Sequence, residues 1–228
     1  NIRIFALLLP LLSLVAKDMP NIDSLWNYSN PAQTETLFTA LLEEHPAEGE
    51  WSLILMTQLA RARGMQHNDE GAGIMLDRVQ DKLKDKMVEA SARYHLERGR
   101  LDYAQSQPDK ALETFNRAGE IAGNAGLDML YLDGLHMVAI VLPPEEGIEY
   151  NLKAIKYIED SGNQQLIGWL GPLYNNTAWT YNDLGRYDMA MELFLKDSQL
   201  RQGLGDDMGY LISLYSIGFT HRKMGNTD

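Results

Sequence analysis

The chain has 228 residues, 45% hydrophobic and 23% charged, with 19 Gly and 8 Pro, which supplies a sizeable core and excludes a largely disordered chain. Its 20 basic and 32 acidic residues leave a net charge of −12, which repels phosphate backbones and anionic lipid unless bases gather locally. No Lys/Arg run gathers them, so nucleic acid is set aside, and the absence of cysteine removes disulfides, thiolate nucleophiles and zinc–thiolate sites.

In chain order, Arg3 precedes an apolar run from Ile4 to Ala16, followed by Lys17 and Asp18. Residues 1–18 read either as a secretory signal or as an apolar segment upstream of a start at Met19. The run is too short to span a membrane stably. Cleavage after Ala16 would put Leu14 at a position that wants a small residue. The first reading implies export, the second a cytoplasmic protein. Asn30 followed by Pro31 signals an N-cap and first helical residue, and that helix should end near Glu44, before Pro46. Asn68 caps a further helix, Pro108 and Pro144 open two more, and Gly64, Gly126, Gly162 and Gly205 mark turns or helix ends. No stretch alternates well enough to predict a strand.

Four segments share one shape, a helix, a polar turn and a second helix with a small residue near its start and a larger one four places on. The pairs are Ala72 and Leu76, Ala111 and Phe115, Gly147 and Asn151, and Ala190 and Phe194, with the small residues 39, 36 and 43 apart. That period predicts an all-α solenoid of antiparallel helix pairs. Gly147, where an Ala is usual, should loosen its helix slightly. In Leu173–Lys196, Tyr174, Ala178, Tyr181, Gly185, Ala190 and Phe194 fall where a tetratricopeptide repeat has its aromatic, small and turn residues. Leu214, Gly218, His221 and Gly225 repeat the first half of that pattern 40 residues later. The chain then reaches Asp228 without a second helix, so the expectation is a repeat cut short, an exposed apolar face on the last helix, and self-association through it.

From Met19 onward the chain resembles a group of bacterial tetratricopeptide proteins of uncharacterised role, through Ser24–Glu35, Leu55–Gln66, Leu96–Arg100, His136–Glu146 and Trp169–Gly185. The resemblance implies a right-handed superhelix over residues 19–228, a cytoplasmic protein and further repeats beyond Asp228, without supplying a reaction or a partner. Pro172 departs from the pattern and should start or kink its helix.

No catalytic residues, metal ligands or cofactor emerge. His95, Glu97 and Arg98 read as a solvated helix face, and Glu145/Glu146 and Asp206/Asp207 as first-turn carboxylates favoured by the helix dipole. Met56, Met65, Met75 and Met87 read as core. The glycines near residues 71 and 119 lack the strand a nucleotide loop needs. The working surface is then the groove formed by the first helices. The repeat register puts Asn175, Trp179 and Asn182 on it, with Leu132, His136 and Ala139 one repeat earlier and Tyr215, Phe219 and Arg222 one later. Arg61, Arg93, Arg100 and Tyr103 extend it. A basic, aromatic groove in an acidic protein suits an extended acidic or C-terminal peptide. The bland alternative has Trp179 and Tyr215 packed between helices and the arginines paired with acidic neighbours. Two functions follow: a peptide-binding scaffold, or the sensory region of a longer protein with an output domain after residue 228.

Overall fold

A computed structural model describes residues 19–45 and 49–225. Among them are two short 3-10 helices, Ile22–Leu25 and Gln164–Trp169, ten α-helices and no strand. The helices are α1 (Pro31–Glu44), α2 (Glu50–Gly64), α3 (Asp69–Gln80), α4 (Val88–Ala104), α5 (Pro108–Ala125), α6 (Asp128–Val141), α7 (Pro144–Ser161), α8 (Leu170–Asp183), α9 (Tyr187–Leu204) and α10 (Asp207–Lys223). Residues 1–18, read as either a signal or an upstream apolar segment, and the end at Asp228 lie outside the described residues.

The local punctuation reads as expected. The side chains of Asn30 and Asn68 accept from the amides of Gln33 and Gly71, closing the N-termini of α1 and α3. Pro31, Pro108 and Pro144 are first helical residues. Pro172 lies in the first turn of α8, where its missing N–H is one that no helix uses.

Consecutive helices pack as hairpins, α2 with α3, α4 with α5, α6 with α7 and α8 with α9, while the first helices α2, α4 and α6 also touch one another. The small residues sit at the crossings: Ala111 and Ala190 have no exposed surface, and neither have Phe115 and Phe194 four places on. Asn151 occupies the corresponding site in α7, 9% exposed. Two glycines allow unusually close approach. A Cβ on Gly99 would meet the Phe115 ring at 2.6 Å, and one on Gly147 would meet the carbonyl oxygen of Ala139 at 2.5 Å. Gly147 therefore does not loosen the stack; it lets α7 lie directly on the α6 backbone.

The last helix is held by apolar packing through Ile217 and Phe219 and by polar contacts. Asp197 of α9 is fully buried; it accepts from Arg201 at 2.8 Å and from Ser213 of α10 at 2.6 Å. On its other side α10 exposes Leu211, Ile212, Leu214 and Tyr215.

Candidate functional site

Where α2, α4 and α6 meet, the side chains form an ion network rather than a set of free cations. Arg100 donates to Glu97 at 2.7 Å and to both carboxylate oxygens of Asp133, on α6, at 2.7 and 2.6 Å. Arg61 lies 3.7 Å from Glu97 and 4.0 Å from Asp133. Burial alone would weaken the Arg100 charge, but Asp133 and Glu97 outweigh it and raise its pKa. Burial likewise pushes Asp133 up, and Arg100 and Arg61 together hold it below the usual carboxylate range. The expectation that Glu97 shares a solvated face with His95 and Arg98 is corrected: Glu97 is 4% exposed, drawn in by the arginines on its own helix and on α2. Arg98 pairs instead with Asp77, and Met65, expected in the core, is exposed.

The segment before α1 closes this end. Asp23 takes a two-point contact from Arg93, which also binds Glu89. Trp26 donates to Gln58 at 3.0 Å and stacks on Tyr28, 4.8 Å between centroids. The Arg61 guanidinium lies 5.7 and 5.6 Å from the two ring centroids.

In the middle, His136 lies edge-on to Trp169, half-buried, and its Nδ1 has no hydrogen-bond partner. Burial lowers its pKa against the opposing pull of Asp133. Leu132, expected on the face, is fully buried. Asn175 is half-buried and donates weakly to Asn176 at 3.3 Å.

The far end is aromatic and basic. Trp179 packs against Phe194 and Phe219, 5.3 Å from each, and Phe219 is 6.4 Å from Tyr215. Tyr215 is 63% exposed. Arg222 and Lys223 stand over the Phe219 ring at 5.7 and 5.5 Å, and no carboxylate of the described residues is within ion-pair distance of either. Asn182 is not on the open face: it is 5% exposed and donates to Thr220 at 2.7 Å, joining α8 to α10.

The structure thus splits the expected groove residues. Trp179, Tyr215, Phe219 and Arg222 form one cluster, and Arg61 and Arg100 another that is already neutralised. His136 and Asn175 lie between, and Asn182 is interior. Asp23, Trp26, Tyr28, Asp133 and Lys223 were missed. Asp133 carried a signal, since it follows Glu97 by the same 36 residues that separate Gly147 from Ala111. Among the described residues no three His, Asp or Glu side chains converge as a metal site, and no helix is long and apolar enough to cross a membrane.

No family model and no curated protein matches the chain. Solved structures do. BtubC (BKLC) from P. vanneervenii aligns with TM-score 0.65 at 15% identity, over 91% of this chain and 86% of that one. The fold is that of the tetratricopeptide-like repeat proteins. A STAND (Signal Transduction ATPase with Numerous Domains) protein with a tetratricopeptide repeat sensor from Pyrococcus horikoshii aligns at TM-score 0.68 and 20% identity, over 84% of this chain and 30% of that one. Aspartyl phosphate phosphatase F from Bacillus subtilis aligns at 0.67 and 15%, over 88% and 51%. The solenoid spans about half of the phosphatase and less than a third of the STAND protein.

Proposed function

We propose that this solenoid is a protein-binding module whose inward face holds an extended peptide, with its charged anchor between α8 and α10. The observation that carries this reading is the open cluster of Tyr215, Phe219, Arg222 and Lys223. Two cations without a described carboxylate partner stand beside exposed aromatic surface in a chain of net charge −12. Such a local reversal of charge attracts a carboxylate, and the rings accept an apolar neighbour of it. The ligand is therefore a peptide with an acidic residue next to an apolar one. Membership of a longer sensory protein is the second reading; the likeness to the STAND protein with a tetratricopeptide repeat sensor favours it.

The test uses the double variant Tyr215→Ala, Arg222→Ala, since both side chains are exposed and their loss leaves the core intact. Trp179 is unsuitable because it packs on buried Phe194. A fluorescent peptide of alternating Glu and Leu should bind the wild type and lose at least about tenfold in affinity in the variant, as for a hot-spot pair. Equal binding by both proteins, or equal binding of the Lys–Leu counterpart, overturns the reading.

A further inference from the structure

Between α2, α3 and α4 lies a cavity of about 300 Å³, at the small end of the range that holds ligands. Its floor is apolar, made by Ala72, Leu76 and Leu101, and its rim carries Arg61, Asp69 and Glu97. The floor residues are each at most 6% exposed and packed in the core, so the space is preformed.

The rim holds a cation with no protein acceptor at hydrogen-bond distance. The Arg61 side chain is only 26% exposed, yet it makes no hydrogen bond among the described residues. Its nearest carboxylates stand at 3.7 and 4.0 Å, beyond hydrogen-bond distance. Arg100, by contrast, makes three hydrogen bonds to Glu97 and Asp133. A guanidinium offers five N–H donors, and those of Arg61, beside the Trp26 and Tyr28 rings, are open to solvent rather than bound to a protein acceptor. An acceptor bound in the cavity would take up donors that the fold leaves free.

Charge decides which acceptor. The guanidiniums of Arg61 and Arg100 are already matched by two carboxylates, Glu97 and Asp133, and Asp69 lines the same cavity. Another anion would enter a partly buried place whose cations are already neutralised and which Asp69 also lines. A neutral carbonyl accepts the same hydrogen bonds without that repulsion.

We propose that this cavity is a second subsite for the peptide, taking one aliphatic side chain against Leu76 and Leu101 while a neutral backbone carbonyl accepts from Arg61. The inference rests on the peptide-binding reading and gives the ligand two unlike parts. An uncharged aliphatic residue sits at α2–α4, and the acidic residue sits at α10.

The experiment titrates N-acetyl-leucine methylamide, one aliphatic side chain between two neutral amides, into the full chain and follows amide shifts by NMR. Saturable shifts should centre on the cavity-lining stretches 60–76 and 97–104. N-acetyl-leucine, the carboxylate form, should bind at least about tenfold more weakly. Ala104→Trp, at an exposed position on the cavity mouth, should abolish the shifts by filling the space. Arg61→Met, which keeps the bulk and removes the donors, should weaken the neutral probe by about tenfold. Absence of saturable shifts overturns the proposal, as do shifts indifferent to Ala104→Trp or a carboxylate probe that binds as tightly. Neither variant touches Tyr215 or Arg222. Loss of one subsite with the other intact therefore separates failure of this inference from failure of the peptide-binding reading.

Discussion

Replacing Gly147 by Ala sets two effects of similar size against each other. Within a helix Ala is better than Gly by about 0.8–1.0 kcal/mol, so the sequence alone predicts a more stable protein. The structure predicts the opposite sign. The added Cβ falls 2.5 Å from the Ala139 carbonyl oxygen and 3.4 and 3.5 Å from that residue's C and Cα. Carbon–oxygen contacts begin near about 3.3 Å, so the start of α7 must retreat by roughly 0.8 Å. The obstacle is backbone, with no rotamer to turn away, and overpacking of this kind costs about 1–3 kcal/mol. The net expectation is a loss of about 1 kcal/mol. Gly119→Ala, inside α5, is the matched control: nothing lies within 4 Å of its added Cβ, so it should gain most of the propensity term. The two variants should differ by about 2 kcal/mol, or roughly 4–8 °C in Tm for a chain of this size. Urea unfolding followed by helical circular dichroism reads the difference. If Gly147→Ala stabilises as much as Gly119→Ala, α7 does not lie on the α6 backbone and the packing argument fails.

Acid should weaken the fold through two histidines. Burial lowers the pKa of His95, with Arg117 adding to it, and burial lowers that of His136 despite Asp133. Their folded values lie below the usual 6.5, so the unfolded chain takes up protons first and stability falls as pH drops through that value. The urea midpoint should be lower at pH 5.5 than at pH 7.5, by less in His136→Asn; an unchanged or higher midpoint in acid contradicts the burial of both rings. The apolar face of α10 should drive self-association. Leu211, Leu214 and Tyr215 are three and four residues apart on one side of the helix, 59%, 42% and 63% exposed. Sedimentation equilibrium should show mass above the monomer that rises with concentration and is suppressed by Leu211→Glu, and a monomer throughout would remove this face as a sticky surface.

Why the fold was easier to read than its inner face comes down to the range of the signals. Asn30 and Pro31, Asn68, Pro108 and Pro144 act on their own helix termini, so each was legible where it stood and each helix begins there. The groove depended on register carried across turns, and turns differ. Two residues separate α6 from α7, whereas three separate α8 from α9. A register counted back from Tyr174 therefore slips at α6, where Leu132 is wholly buried. At the α2–α4 end the alternative holds in which the arginines pair with acidic neighbours, and the reason is related. The sequence shows Arg100 beside Arg98 and Glu97, but its strongest partner is Asp133, on another helix, which no local pattern announces. Pairing through space turned one half of an apparently basic groove neutral. The far half kept its charge because α10 brings Arg222 and Lys223 to Phe219 and Trp179 with no acidic side chain opposite them among the described residues. That asymmetry distinguishes the two ends chemically. On the proposed reading a peptide that ran from one to the other would change character along its length, because at the α2–α4 end Glu97 and Asp133 already neutralise Arg61 and Arg100 and leave no cation for an acidic residue.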